Sequence, residues 1–272
     1  MTLSREDFDH VRALVLDRSA IVLDGDKFYL AETRLLTLAR REGFASPTDL
    51  VARMRAEPCN GLQQLVVEAI ATNETSFFRD VHPFDALRQE VFPTLLRSRP
   101  TGDVQVWCAA CSSGQEPYSI ALLLHENFAL SDRTRVRILA SDLSNEMLER
   151  ARQGRFNQFE IERGLPAPYL TKYFKKRAGE WELEEKVRRQ VDFRQINLKG
   201  AWPVVPSLDV ILLRNVLIYF DMQIKKQILA KVRQVLRPQG YLFLGGAETT
   251  LYLDDAFERV QIGRTSCYRL RA

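Results

Sequence analysis

The sequence predicts an α/β protein: a parallel sheet covered by helices, preceded by a small all-helical unit. Three observations carry this reading. Residues 1–72 space their apolar side chains at helical intervals and nowhere alternate with period 2. After Val81, short apolar runs at 104–107, 135–140, 209–213 and 241–244 take turns with helical segments, as in a sheet buried on both faces. Phe257–Ile262 and Thr265–Leu270, separated by Gly263-Arg264, then read as a terminal hairpin. The 272 residues, 46% hydrophobic and 27% charged, are enough for one large domain or one medium plus one small, and exclude a disordered, collagen-like or disulfide-stapled chain.

Each element has its own signal. Ser4 caps a helix with acids in its first turn, and Phe8, Val11 and Val15 share one face. A second helix carries Leu30, Leu35, Leu36 and Leu38 and stops at Gly43. Ser46-Pro47-Thr48-Asp49 starts a third through Leu50, Val51 and Met54, which Pro58 ends, and a fourth covers 62–71. Residues 73–82 form a linker, and 83–272 the α/β domain. There, helix 83–96 leads to strand 104–107, the turn Ser112-Ser113-Gly114 and helix 116–128. Strand 135–140 ends in Ser141-Asp142, before a helix capped by Ser144. Strand 209–213 precedes helix 222–236, which Pro238-Gln239-Gly240 is expected to terminate. Trp181 and Leu183 alternate with Glu180, Glu182 and Glu184, and Val191 and Phe193 with Asp192 and Arg194. The segment 157–195 is therefore expected to form a small antiparallel β-subdomain inserted in the main domain. A closing antiparallel hairpin on a parallel sheet is, by analogy, the habit of class I methyltransferases rather than dehydrogenases.

The longest apolar candidate, around 210–220, is broken by Arg214 and Asn215 and is too short to span a bilayer, and the first residues carry acids at once; a cytoplasmic protein is expected. Cys59, Cys108, Cys111 and Cys267 are too scattered for a disulfide framework. No second pair or clustered histidine completes a zinc site around Cys108 and Cys111, so buried thiols and no metal are expected. A pI of about 8.9 is only a mild bias towards acidic partners.

The chemistry concentrates at the strand ends, where an open α/β sheet binds nucleotides. The turn Ala109-Ala110-Cys111-Ser112-Ser113-Gly114 is small enough for close backbone approach, but its single glycine gives no diphosphate fingerprint. On these residues a tight turn without ligand reads as well as a binding site. Asp142, at the end of the second strand, is placed to accept from both ribose hydroxyls, or to charge the start of the next helix. A ribose site without a diphosphate loop points to S-adenosylmethionine. Between the domains, 73–80 sets two phenylalanines beside a polar run, in which Arg79 can pair with a carboxylate. Arg214 and Asn215 end the third strand among apolar residues, and must be satisfied by a ligand or by a structural ion pair.

The segments NETSFFRD, WCAACSSGQEPYSIA, ASDLSNEMLERARQGRF, INL and LLRNVLIYFD stand in the order and spacing of the CheR family, the chemoreceptor glutamate methyltransferases of bacterial chemotaxis, and the resemblance covers nearly the whole chain. It implies a class I, Rossmann-like methyltransferase domain using S-adenosylmethionine and releasing S-adenosylhomocysteine. By the same resemblance Asn73, Thr75, Arg79, Glu116, Asp142, Asn197, Leu198, Arg214 and Asn215 bind the cofactor, with Arg79 on the methionine carboxylate and Asn197-Leu198 near the adenine. Arg214 and Tyr219, close to the methyl, position the glutamate.

This chain departs from many relatives in having Gln115-Glu116 where they have two acids. The excursion between Tyr173 and Phe193 is also shorter than in relatives that grip a receptor C-terminal pentapeptide, so that tether is not expected. A receptor's acidic helical bundle is expected to dock on Arg34, Arg40, Arg41, Arg53 and Arg55, where positive charge concentrates. A monomer that binds no nucleic acid is expected. The rival readings are an RNA methyltransferase, for which no basic face with exposed aromatics is visible, and a non-catalytic S-adenosylmethionine-binding regulator.

Overall fold

A computed structural model describes residues 3–57, 61–99, 102–128 and 134–271; Pro58 and Cys59 lie outside these segments. The helical unit comprises α1 (Arg5–Ser19), α2 (Phe28–Arg41), α3 (Pro47–Ala56) and α4 (Leu62–Ile70). Ser4 and Ser46 accept the backbone N–H groups of Asp7 and Asp49, so both expected caps form. Phe8, Val11, Val15, Leu35, Leu50, Val51 and Met54 close a separate core beneath them. Leu30, expected on the buried face, is instead 38% exposed.

Beyond the linker, α5 (His82–Ala86) and α6 (Phe92–Ser98) are joined by a π-helical turn at Leu87–Val91. Then follow β1 (Gly102–Ala109), α7 (Gln115–Asn127), β2 (Thr134–Asp142), α8 (Asn145–Gln153), β3 (Arg155–Phe156), α9 (Gln158–Glu162), α10 (Ala167–Tyr173), β4 (Phe174–Arg177), β5 (Glu180–Leu183), α11 (Glu185–Arg188), β6 (Val191–Gln195), β7 (Leu208–Leu213), α12 (Met222–Val235), β8 (Leu236–Leu244), β9 (Phe257–Ile262) and β10 (Thr265–Leu270). The main sheet has the order β6-β2-β1-β7-β8-β10-β9. Its first five strands are parallel, and β10 runs antiparallel between β8 and β9. This is the class I methyltransferase sheet. Strand order reverses between β1 and β7, so a crevice opens at their carboxyl ends.

Two expectations are corrected. Residues 191–195 leave the antiparallel excursion and form β6, which pairs parallel with β2 through Val191↔Ile138 and Phe193↔Ala140. The alternation of Val191 and Phe193 with polar residues describes a half-buried edge strand of the large sheet as well as a hairpin strand. The small sheet is β3-β5-β4, so it draws on Arg155 and Phe156 before the expected start. Its β4–β5 hairpin turns at Ala178-Gly179, both at positive φ. Second, Pro238-Gln239-Gly240 does not separate helix from strand. Val235 ends α12 and β8 begins at once, carrying the proline through an irregularity opposite Leu208 and Val210. A bulge tolerates the missing N–H.

At the amino end of the sheet, Asp209 is 1% exposed. It accepts the Gln105 N–H (2.8 Å) and pairs with Arg99 (2.8 Å) and Arg237 (3.4 Å). The opposite end is built differently.

Candidate active site

The carboxyl ends of β1, β2 and β7 open into a cleft of about 900 Å³, counting the solvent at its mouth. All ten residues singled out as cofactor or substrate contacts line it: Asn73, Thr75, Arg79, Glu116, Asp142, Asn197, Leu198, Arg214, Asn215 and Tyr219. Ser19, Ile21, Ala71 and Thr72 from the helical unit line it too, which the sequence did not signal.

Backbone strain gathers here. Nine described non-glycine residues have positive φ, and six of them are Phe78, Asp80 and Val81 in the linker, Ala110 and Ser112 in the β1–α7 turn, and Asn215 after β7. Such conformations cost energy and persist where surroundings fix them, commonly at ligand sites. Glycine is required at position 114: with φ +94, a Cβ there would lie 3.0 Å from Ala151 and 3.1 Å from Tyr118.

Asp142 ends β2 with one carboxylate oxygen accepting the Ser112 N–H (2.8 Å) and the other the Ser144 N–H (2.9 Å). Ser144 itself caps α8, so the aspartate is not needed as the cap. Burial pushes the Asp142 carboxyl above its ordinary range, outweighing the backbone donors that favour its charge. Glu116, in the first turn of α7, is pushed up by burial as well, against the pull of Arg214.

Arg214 is a pillar. Its side chain, 1% exposed, reaches Glu116 and Asp80 at 2.7 Å each and donates to the Arg79 carbonyl at 2.8 Å. It therefore joins the linker to α7, and both terminal nitrogens expected to meet a substrate carboxylate are already engaged. Its Nε and the Asn215 Oδ1 are buried without partners. Arg79 donates to the Glu74 carbonyl and Glu74 pairs with Arg163, fixing the linker over the cleft. The Asn73 carbonyl accepts from the Ser112 hydroxyl.

Asn197 is used otherwise than expected. Its amide donates to the Arg18 carbonyl (2.7 Å) and its oxygen accepts from the Lys199 N–H (3.0 Å). The side chain thus holds α1 against the cleft, beside Lys199, which donates to the Leu16 carbonyl.

Sequence reasoning missed Glu248. Its carboxylate accepts from the N–H groups of Gly245 (2.6 Å), Asn215 (2.8 Å), Val216 (2.9 Å) and Ile218 (3.3 Å), and so shapes the loop bearing Asn215 and Tyr219. An acid after Gly245-Gly246 at the end of an apolar strand was the available signal. A Cβ on Gly245 would meet both partners, 2.7 Å from the Asn215 amide and 2.8 Å from the Glu248 carboxylate.

The five docking arginines are largely accounted for within the fold. Arg34 is turned inwards, donating to the carbonyls of Ile70 and Ala71 (2.9 Å for the latter). Arg41 pairs with Glu42 and Glu146, Arg53 with Glu57, and Arg55 with Glu6 and Asp7. Arg40 is exposed with no ion pair among the described residues. Cys108, Cys111 and Cys267 are buried free thiols, with burial pushing the first two far up in pKa. Among the described residues no cluster could hold a metal, and no helix is long and apolar enough to cross a membrane.

The residues fit an adenosine ligand. The cleft combines apolar walls with a few converging polar groups, as small-molecule sites do. It offers a strand-end carboxylate, apolar walls from Ile196, Leu198, Val216 and Phe220, and the orphaned Asn215 Oδ1. This fold and this site define an S-adenosylmethionine-dependent methyltransferase. The chain belongs to the CheR methyltransferase family: residues 73–265 match its S-adenosylmethionine-binding domain and residues 6–71 its all-alpha domain. It is 38% identical to the chemotaxis protein methyltransferase Cher2 of Pseudomonas putida and 37% identical to chemotaxis protein methyltransferase 1 of Pseudomonas aeruginosa, each match covering 100% of both chains. It is also 32% identical to the chemotaxis protein methyltransferase of Escherichia coli, over 94% of this chain and 89% of that one.

Proposed function

We propose that the protein transfers a methyl group from S-adenosylmethionine to the γ-carboxylate of glutamates in the cytoplasmic domain of chemoreceptors, forming methyl esters for chemotactic adaptation. The family and the names of its relatives support the substrate class. The observation that carries the chemistry is the cleft itself, which brings a buried strand-end carboxylate, Asp142, into one lining with Arg79 and Tyr219.

The bound cofactor supplies an activated methyl on a positively charged sulfur. Asp142 would hold the ribose hydroxyls, Leu198 and Ile196 the adenine, and Arg79 the methionine carboxylate. A glutamate is ionised at neutral pH, with a reference pKa near ~4.3, and attacks without a general base. The protein's task is then alignment and exclusion of water. Tyr219, whose hydroxyl has no hydrogen-bond partner among the described residues, is the side chain placed to orient the incoming carboxylate. Arg214 acts through position, locking Asp80 and Glu116.

Incubation with methyl-labelled cofactor and a purified receptor cytoplasmic fragment tests the reading. Alkali-labile label on the fragment supports it. Label appearing in added RNA instead, or cofactor binding without transfer to any acceptor, would overturn it.

A further inference from the structure

A second cleft lies across the wall made by Asp80, Gly245 and Glu248. The wall is shared with the cofactor cleft, since Asp80 pairs with Arg214 and Glu248 holds the N–H groups of Asn215 and Val216. The far side is the β9–β10 hairpin, contributing Arg259, Arg264, Thr265, Ser266 and Tyr268.

Charge decides what this cleft can take. Both acids in it are engaged elsewhere, Asp80 with Arg214 and Glu248 with four backbone N–H groups. Arg259 and Arg264 are exposed and pair with no acid among the described residues. The cleft therefore carries two guanidinium groups without a carboxylate partner among the described residues, whereas Arg34, Arg41, Arg53 and Arg55 have partners. An apolar step adjoins it. The Tyr268 hydroxyl bonds Thr249 (3.3 Å), anchoring the loop that carries Leu251 and Tyr252, 61% and 81% exposed. Tyr252 sits at φ +61, an unusual conformation for an aromatic residue.

We propose that this cleft is the acceptor subsite. It holds an acidic helical stretch of the methylated protein, with Arg259 and Arg264 meeting carboxylates that neighbour the target glutamate and Leu251 and Tyr252 covering its apolar stripe. Carboxylates three and four residues apart share one helix face, so a segment presenting one glutamate to the cofactor presents its neighbours to the hairpin. The inference rests on the glutamate-methylating reading above.

The test compares wild type with Arg259→Glu/Arg264→Glu and Arg259→Lys/Arg264→Lys, measuring KM and kcat on a receptor cytoplasmic fragment and calorimetric affinity for S-adenosylhomocysteine. Charge reversal should raise KM roughly tenfold or more at low salt, with kcat and cofactor affinity within about twofold, because rim charges act on encounter and orientation. The lysine pair should stay near wild type. Unchanged KM in the reversed variant, or a defect confined to kcat or to cofactor binding, would overturn the subsite while leaving the glutamate reading intact. Failure of the wild-type protein to label the fragment would remove both.

Discussion

The two ends of the parallel sheet bury charge in opposite ways. At the amino end, Asp209 meets Arg99, Arg237 and the Gln105 N–H. At the carboxyl end, Arg214 meets two carboxylates, yet its Nε and the neighbouring Asn215 Oδ1 lack partners, and six residues of the linker, the β1–α7 turn and the segment after β7 have positive φ. The same fold thus pairs the buried charge at one end and leaves two buried polar atoms without a protein partner at the other. Positive φ angles mark the working end better than charge does, because both ends contain buried ion pairs.

Replacing Arg214 should have the largest effect. Arg214→Met strands the carboxylate of Glu116 in a buried site, and removal of one partner from such a pair typically costs about 3–5 kcal/mol. Denaturant unfolding should show that loss, and adding Glu116→Gln should restore part of it. Asp209→Ala should cost less, about 1–3 kcal/mol, since Arg99 and Arg237 are 28% and 37% exposed and can be rehydrated. Its affinity for S-adenosylhomocysteine should be unchanged; a parallel loss of binding would show that the two ends are not independent.

Glu248→Gln sharpens the contrast within the working end. The amide replaces one acceptor oxygen with a donor facing backbone N–H groups, so the Asn215–Tyr219 loop should loosen. We expect kcat to fall roughly tenfold, about 1.4 kcal/mol, with a smaller change in cofactor affinity. A stability loss without a kcat change would reduce Glu248 to a structural brace.

The smallest effect is one of pH. Because the folded-state pKa of Asp142 is raised by burial, its contribution to stability is favourable at low pH and is lost as pH rises through that value. Asp142→Asn removes this titration but sets its NH2 against the N–H of Ser112 or Ser144, so its stability should be lower and lose the Asp142 pH dependence. Cofactor affinity moves the other way: it needs the carboxylate and should weaken on acidification, at a higher pH than an ordinary aspartate would set. In Asp142→Asn that pH dependence should vanish.

Much of this was legible in the sequence. Capping serines, alternating apolar runs and polar residues at strand ends each have a local physical cause, and Arg79, Asp142, Arg214 and Asn215 stood out in this way. The other six site residues came with the resemblance to the CheR family, and all ten line one cleft. What failed was non-local. Period 2 in Val191 and Phe193 does not say which sheet a strand joins, and the partners of Arg34 and Asn197 lie 36 and 179 residues away. Basic residues counted along the chain looked like a docking face, but Arg41 and Arg55 meet acids on other helices. Glu248 was missed because its role consists of four backbone N–H groups, to which the acid after Gly245-Gly246 is only an indirect pointer.

Calorimetric titration of S-adenosylhomocysteine into Asp142→Ala tests the central assignment most directly. Loss of the ribose hydrogen bonds to a charged acceptor should cost roughly 1.5–3 kcal/mol, on the order of tenfold to a hundredfold in affinity, in a protein that still unfolds cooperatively. Wild-type affinity in the folded variant would contradict placement of the cofactor at the end of β2.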